Sequence, residues 1–139
     1  MRQEKIDFSS LSHSEMEIHN FRNLKVWQLS VEFVANIYLL TAQFPNDEKF
    51  GLSSQIKRAS VSIPSNIAEG SGRGSNKDFA RFLSISLSSS YELETQLVVA
   101  NRLKFLTEPT TREIIEKLHE IQKMIFALHR KFGGQSADT

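Results

Sequence analysis

The chain predicts an all-α fold, an antiparallel up-down-up-down four-helix bundle, on three observations. Apolar residues recur at three- and four-residue steps in four long stretches of the 139 residues. The stretches stop at proline or glycine, at Pro45, Gly70, Pro109 and Gly133-Gly134. No strand pattern competes. The short Ser/Val alternation at Ala59–Ile63 fits helix better, because Ile56, Ile63 and Ile67 keep the longer period around it.

Residues 1–20 are polar, with isolated Ile6, Phe8, Leu11 and Ile18, and read as an arm that is flexible or packed on a partner. Asn20 or Asn23 is the expected cap of the first helix, which runs to about Gln43. Leu24, Trp27, Val31, Val34 and Tyr38 form one stripe on it, and Val26, Phe33, Ile37, Leu40 and Phe44 form an adjoining one. The two together are wider than one partner helix needs. Phe44-Pro45-Asn46-Asp47 ends the helix, since a residue before proline is pushed toward extended geometry.

The second helix is expected from about Lys49 to Glu69, with Leu52, Ile56, Ala59, Ile63 and Ile67 on one face. Pro64 falls inside this rhythm. It cannot donate to the carbonyl of residue 60 and crowds it, so a kink or break is expected there. Gly70, Gly72 and Gly74 are assigned to the C-terminal cap and turn, Gly70 by left-handed geometry.

Asn76 is the expected cap of a third helix over 76–104, whose inner side carries Phe79, Leu83, Ser86, Ser90, Leu93, Leu97 and Ala100. Serines at 86 and 90 would let a neighbouring helix come close. Thr110 or Thr111 caps the last helix, with Glu113 in a capping box if Thr110 is the cap. Ile114, Leu118, Ile121, Ile125, Leu128 and Phe132 make its core stripe. The domain then spans 21–133, followed by a disordered tail over 134–139.

Composition excludes several chemistries. The chain has no cysteine, so disulfides, thiolate metal sites and cysteine nucleophiles are out. No run of 18 apolar residues exists and no signal region follows the N-terminus, so a cytoplasmic protein without a membrane span is expected. Net charge is +1, but Gly51–Arg81 holds five basic residues against two acidic ones, and the first twenty residues carry −2.

Catalytic and metal patterns are missing. His13, His19, His119 and His129 form no His-x-x-x-His or Glu-x-x-His motif, so a carboxylate-bridged metal pair of the bundle type is not expected. His119 and His129, ten residues apart on one helix, read as surface side chains. Glu92 and Glu94 face different sides, Glu92 toward Gln96 and Glu94 toward the neighbourhood of Val98. The serines at 84, 86, 88, 89 and 90 have no histidine base nearby in sequence. Gly70-x-Gly72-x-Gly74 follows a helix rather than a strand and lacks the lysine of a phosphate-binding loop. No catalytic residue, metal or cofactor is assigned, and the chain reads as a non-enzyme.

Three groups of residues remain as candidate sites. Asn66, Glu69, Gly70 and Arg73 read as a buried polar clamp at the end of the second helix. A carboxylate at a helix C-terminus needs a cation, and Arg73 or Arg58 can supply it. Lys57, Arg58, Arg73, Lys77 and Arg81 form a candidate phosphate-facing patch. Trp27, Phe33, Tyr38 and Tyr91 are candidates for a subunit boundary.

The run from Gln55 to Arg73, with Ser60-Val61-Ser62-Ile63-Pro64-Ser65-Asn66-Ile67-Ala68-Glu69-Gly70 at its centre, resembles the signature of the bacterial 23S rRNA intervening-sequence proteins. Phe21-x-x-Leu24-x-x-Trp27 is similar to that family's opening motif, and Phe44-Pro45 followed by Gly51-Leu52 to its first connection. Phe79-x-x-Phe82-Leu83 and Glu92-Leu93-Glu94-Thr95-Gln96-Leu97 are similar to its third helix, so the resemblance covers about 20–133. It implies an up-down bundle that assembles as a ring-shaped homopentamer, with a scaffolding or interaction role. A related group, the accessory proteins of diversity-generating retroelements, implies the alternative. In that reading a basic surface binds RNA or DNA weakly and without sequence preference, or a protein partner.

Overall fold

Four long helices follow one another in a computed structural model that describes residues 20–133. They are α1 (Lys25–Thr41), α2 (Leu52–Ser71), α3 (Asn76–Arg102) and α4 (Glu108–Phe132), with short 3-10 turns at Phe21–Asn23 and Asn46–Glu48. Each helix packs on its chain neighbours, and α1 also meets α4. The result is an antiparallel four-helix bundle. The expected arm and tail lie outside the described residues, apart from Asn20.

The long-period stripes form the interior. Val26, Phe33, Ile37 and Phe44 from the first segment meet Ile56, Ile63 and Ile67, then Phe79, Leu83, Leu93 and Leu97, then Leu118, Ile121 and Ile125. Water-avoiding surface lost by these side chains is the main drive for folding. On α1 the second stripe faces inward. Of the first, Leu24, Trp27 and Val34 are half-buried while Val31 and Tyr38 are exposed. The surplus width expected from the sequence therefore lies on the outside.

Aromatic pairs pin both ends. Phe79 and Phe132 stack with centroids 4.9 Å apart at one end, and Phe44 and Phe105 at 5.4 Å at the other.

Helix starts differ from expectation by a few residues. Asn20 caps the 3-10 turn, accepting from the Arg22 N–H at 3.2 Å, and α1 begins after Leu24 without a side-chain cap. Helix α2 starts at Leu52 rather than Lys49, because the Asn46–Glu48 turn intervenes and the Glu48 carboxylate accepts the Leu52 N–H at 3.1 Å. Ser75, not Asn76, caps α3, accepting from the Asp78 N–H. Thr107, not Thr110 or Thr111, caps α4, with Pro109 in the first turn where a missing N–H costs nothing. Glu113 pairs with Lys117 at 3.7 Å instead of closing a capping box.

Pro64 does not break α2, which continues through it as one helix. Pro64 is buried, so apolar contact offsets the lost backbone bond. Gly70 is also a correction. It lies within the helix, and a Cβ there would stand 2.6 Å from the Phe82 Cβ. Its role is close approach of α2 to α3, while the left-handed residue of the turn is Gly74, at φ +85°. Another left-handed residue went unexpected: Lys104, at φ 66°, closes α3 with the Phe105 N–H bonded back to the Ala100 carbonyl.

Candidate functional surfaces

The polar residues at the end of α2 form two separate groups. Asn66 donates to the Ser62 carbonyl at 2.8 Å and to its hydroxyl at 2.9 Å, and Ser62 bonds Ser89 of α3 at 2.7 Å. Glu69 instead takes Arg73 at 2.7 Å, four residues on, and both side chains are about half exposed. Arg73, not Arg58, is thus the cation at this helix end. Asn66 braces the seam between α2 and α3, and Glu69–Arg73 sits on the surface rather than in a buried clamp.

The five basic residues named above do not form one patch. Arg58 stands about 20 Å before the end of α2 at 1.5 Å per residue, and Arg73 follows that end. The Lys57 ammonium lies 5.2 Å above the ring of Tyr38 on α1. Arg73 and Arg81 both stack on Phe82, at 4.8 and 4.6 Å, and Arg81 also faces Asp78 at 3.8 Å. Arg73, Lys77 and Arg81 are therefore one cluster at the α2–α3 turn, and Lys57 and Arg58 lie elsewhere.

Antiparallel packing adds residues to that cluster that are remote in sequence. The start of the first segment and the end of α4 lie at the same end of the bundle, bringing Arg22, Lys25, Arg130 and Lys131. A shallow depression there is lined by Asn76, Lys77 and Arg81 from α3 and His129 from α4. Among the described residues this end carries seven basic side chains against Glu69 and Asp78. No local window of sequence shows it, because the charges come from three separate segments.

Trp27 is half-buried, with Phe21 edge-on at 5.1 Å and Arg22 over its ring at 5.5 Å. Phe33 is only 3% exposed and belongs to the core, showing at the floor of a groove between α1 and α4. Tyr38 and Tyr91 are exposed, on opposite sides of the bundle. Val31 and Tyr38 are exposed two turns apart on one face of α1, and exposed Val61 is one turn from Lys57, which Tyr38 meets on α2. Tyr91 and Val98 are exposed two turns apart on α3, and exposed Phe126 is one turn from Gln122, which Glu94 meets on α4. The α1–α4 groove, of about 220 Å³, has Leu29, Phe33 and Ile121 as its floor and Glu32, Asn36, Lys117 and Glu120 at its rim.

A polar pair with no signal in the sequence joins α3 to α4. Glu94 of α3 accepts from Gln122 at 2.9 Å and meets His119 Nε2 at 3.0 Å, both on α4. Its expected reach toward Val98 is replaced by this contact across the seam, 25 residues away in sequence. Burial works against the Glu94 charge, but the hydrogen bonds from Gln122 and His119 and the imidazole charge outweigh it. They hold its carboxyl below the ordinary value. Glu92 meets Gln96 only at 3.5 Å, and Gln96 Oε1 is buried without a partner among the described residues. No group of three metal-ligating side chains converges among the described residues, and no helix there is long and apolar enough to cross a membrane.

These features define a helical-bundle protein whose distinctive residues lie on open surfaces. The profile of the 23S rRNA-intervening sequence proteins matches residues 22–127, and the chain belongs to that family. A solved structure from Bacteroides thetaiotaomicron, described as a protein with unknown function from the S23 ribosomal protein family, is 30% identical with a TM-score of 0.71. The match covers 81% of this chain and 97% of that one. No curated protein matches the chain.

Proposed function

We propose that the protein is a non-enzymatic scaffold that works by assembling with copies of itself, in a ring of five as the family resemblance implies. The observation that carries this reading is the pair of exposed apolar strips on opposite faces, Val31–Tyr38–Val61 and Tyr91–Val98–Phe126. Unlike strips on opposite sides suit a head-to-tail contact, and such contacts close into rings when the rotation per subunit divides the circle. Apolar surface of this kind is otherwise costly to leave in water. Sedimentation equilibrium at micromolar concentration should return a mass near five times the 15.9 kDa of the chain. A monomer would defeat the reading.

The basic end supports a second role, weak binding of RNA or DNA backbone without sequence preference. Binding should fall steeply with salt, since each phosphate neutralised releases counterions. Lys77→Glu should lower the salt slope by about one. Titration with single-stranded and duplex RNA and with DNA at low salt, showing no association, would remove this role.

A further inference from the structure

We propose that Lys49–Phe50 of one copy seats in the α1–α4 groove of the next, phenyl ring inward and ammonium on the acidic rim. This contact rests on the assembly reading and adds a second pair of surfaces to the two apolar strips. Phe50 is 90% exposed, more than any other large apolar side chain described, and projects from the connection between α1 and α2. The projection is braced: the Lys49 N–H bonds the Asn46 carbonyl, the Gly51 N–H bonds the Glu48 carbonyl, and the Glu48 carboxylate takes the Leu52 N–H. A backbone already held in place loses little freedom when it binds. The Lys49 ammonium rides 5.6 Å above the ring, so charge and knob move together.

The groove matches both parts. Its volume is about 220 Å³, and an apolar cavity of roughly 150 Å³ is enough to hold benzene. Leu29, Phe33 and Ile121 supply an apolar floor, while Glu32 and Glu120 stand at the rim. Neither carboxylate holds an ion pair with another described residue, and Lys117 is drawn toward Glu113. The knob does not reach its own groove, since its ring is almost fully in water. Knob and groove are different surfaces, so the contact is heterologous and propagates from copy to copy.

The absence of cysteine gives a clean test. Phe50→Cys and Asn36→Cys chains, mixed and mildly oxidised, should form disulfide dimers far faster than either alone. The double variant should give a ladder of higher species. Phe50→Ser should weaken assembly at least tenfold in sedimentation while keeping the parent's helicity and melt. Lys49→Glu should do so less, and Glu120→Lys should restore it. If the parent assembles and Phe50→Ser assembles equally well, this contact is wrong and the scaffold reading stands. If the parent is a monomer, both fall.

Discussion

The α2–α3 seam and the α1–α4 seam are built from the same kind of helix, yet one is closed and the other open. At the first, Gly70 lets the backbone of α2 approach Phe79 and Phe82, and Ser86 donates to the Ile63 carbonyl at 2.9 Å across the interface. Ser62 and Ser89 bond directly nearby. Small residues here serve twice, by leaving room and by satisfying polar atoms that the close approach would strand. At the second seam, Glu32, Asn36, Lys117 and Glu120 are long or polar and turn outward, leaving a groove. The number of apolar residues does not set how tightly two helices close; the size of what stands at the edge of the contact does.

Changes on the closed seam should cost most. Gly70→Val should destabilise by about 3 kcal/mol in urea melts, through overpacking against Phe82. Unchanged stability would mean that the seam is loose. Ser86→Ala should cost about 1 kcal/mol, the net worth of one buried hydrogen bond. The Glu94–His119 pair, half in solvent, should contribute about 0.5 kcal/mol or less. Because the Glu94 carboxyl is held below its ordinary value of 4.5, that contribution is full above this pH and lost as pH falls through the lowered value. Urea midpoints of the parent and Glu94→Gln should therefore converge in acid. On the open seam, Asn36→Leu should change folding stability by no more than about 0.5 kcal/mol. A loss comparable to Gly70→Val would show that this seam is as closed as the other.

The contrast also sorts what was legible in the residues. Phe79, Leu83, Ser86, Ser90, Leu93, Leu97 and Ala100 were placed on the inner side of α3, and all are buried. The caps stand one to four residues from the expected positions, since several Ser, Thr and Asn residues lie close together at the starts of α3 and α4 and only backbone geometry selects among them. The sequence points to torsion freedom at Gly70, whereas the fold uses its missing side chain. That distinction needs Phe82, twelve residues on, to be seen against it. Of the candidate basic patch, Arg73, Lys77 and Arg81 gather, while Arg22, Lys25, Arg130 and Lys131 join from segments no window spans.

Periodicity is a property of a single helix, written every three or four residues. It was therefore enough to establish four helices, their inward faces and an α1 too apolar for one partner, while particular residue motifs, not the period, carried the resemblance to the family. Alignment between helices depends on two segments at once, on which small residue admits which neighbour and where each helix begins. Only the packed bundle could decide that Glu94 meets His119, that positive charge gathers at one end, and that a groove lies open while Phe50 stands in water.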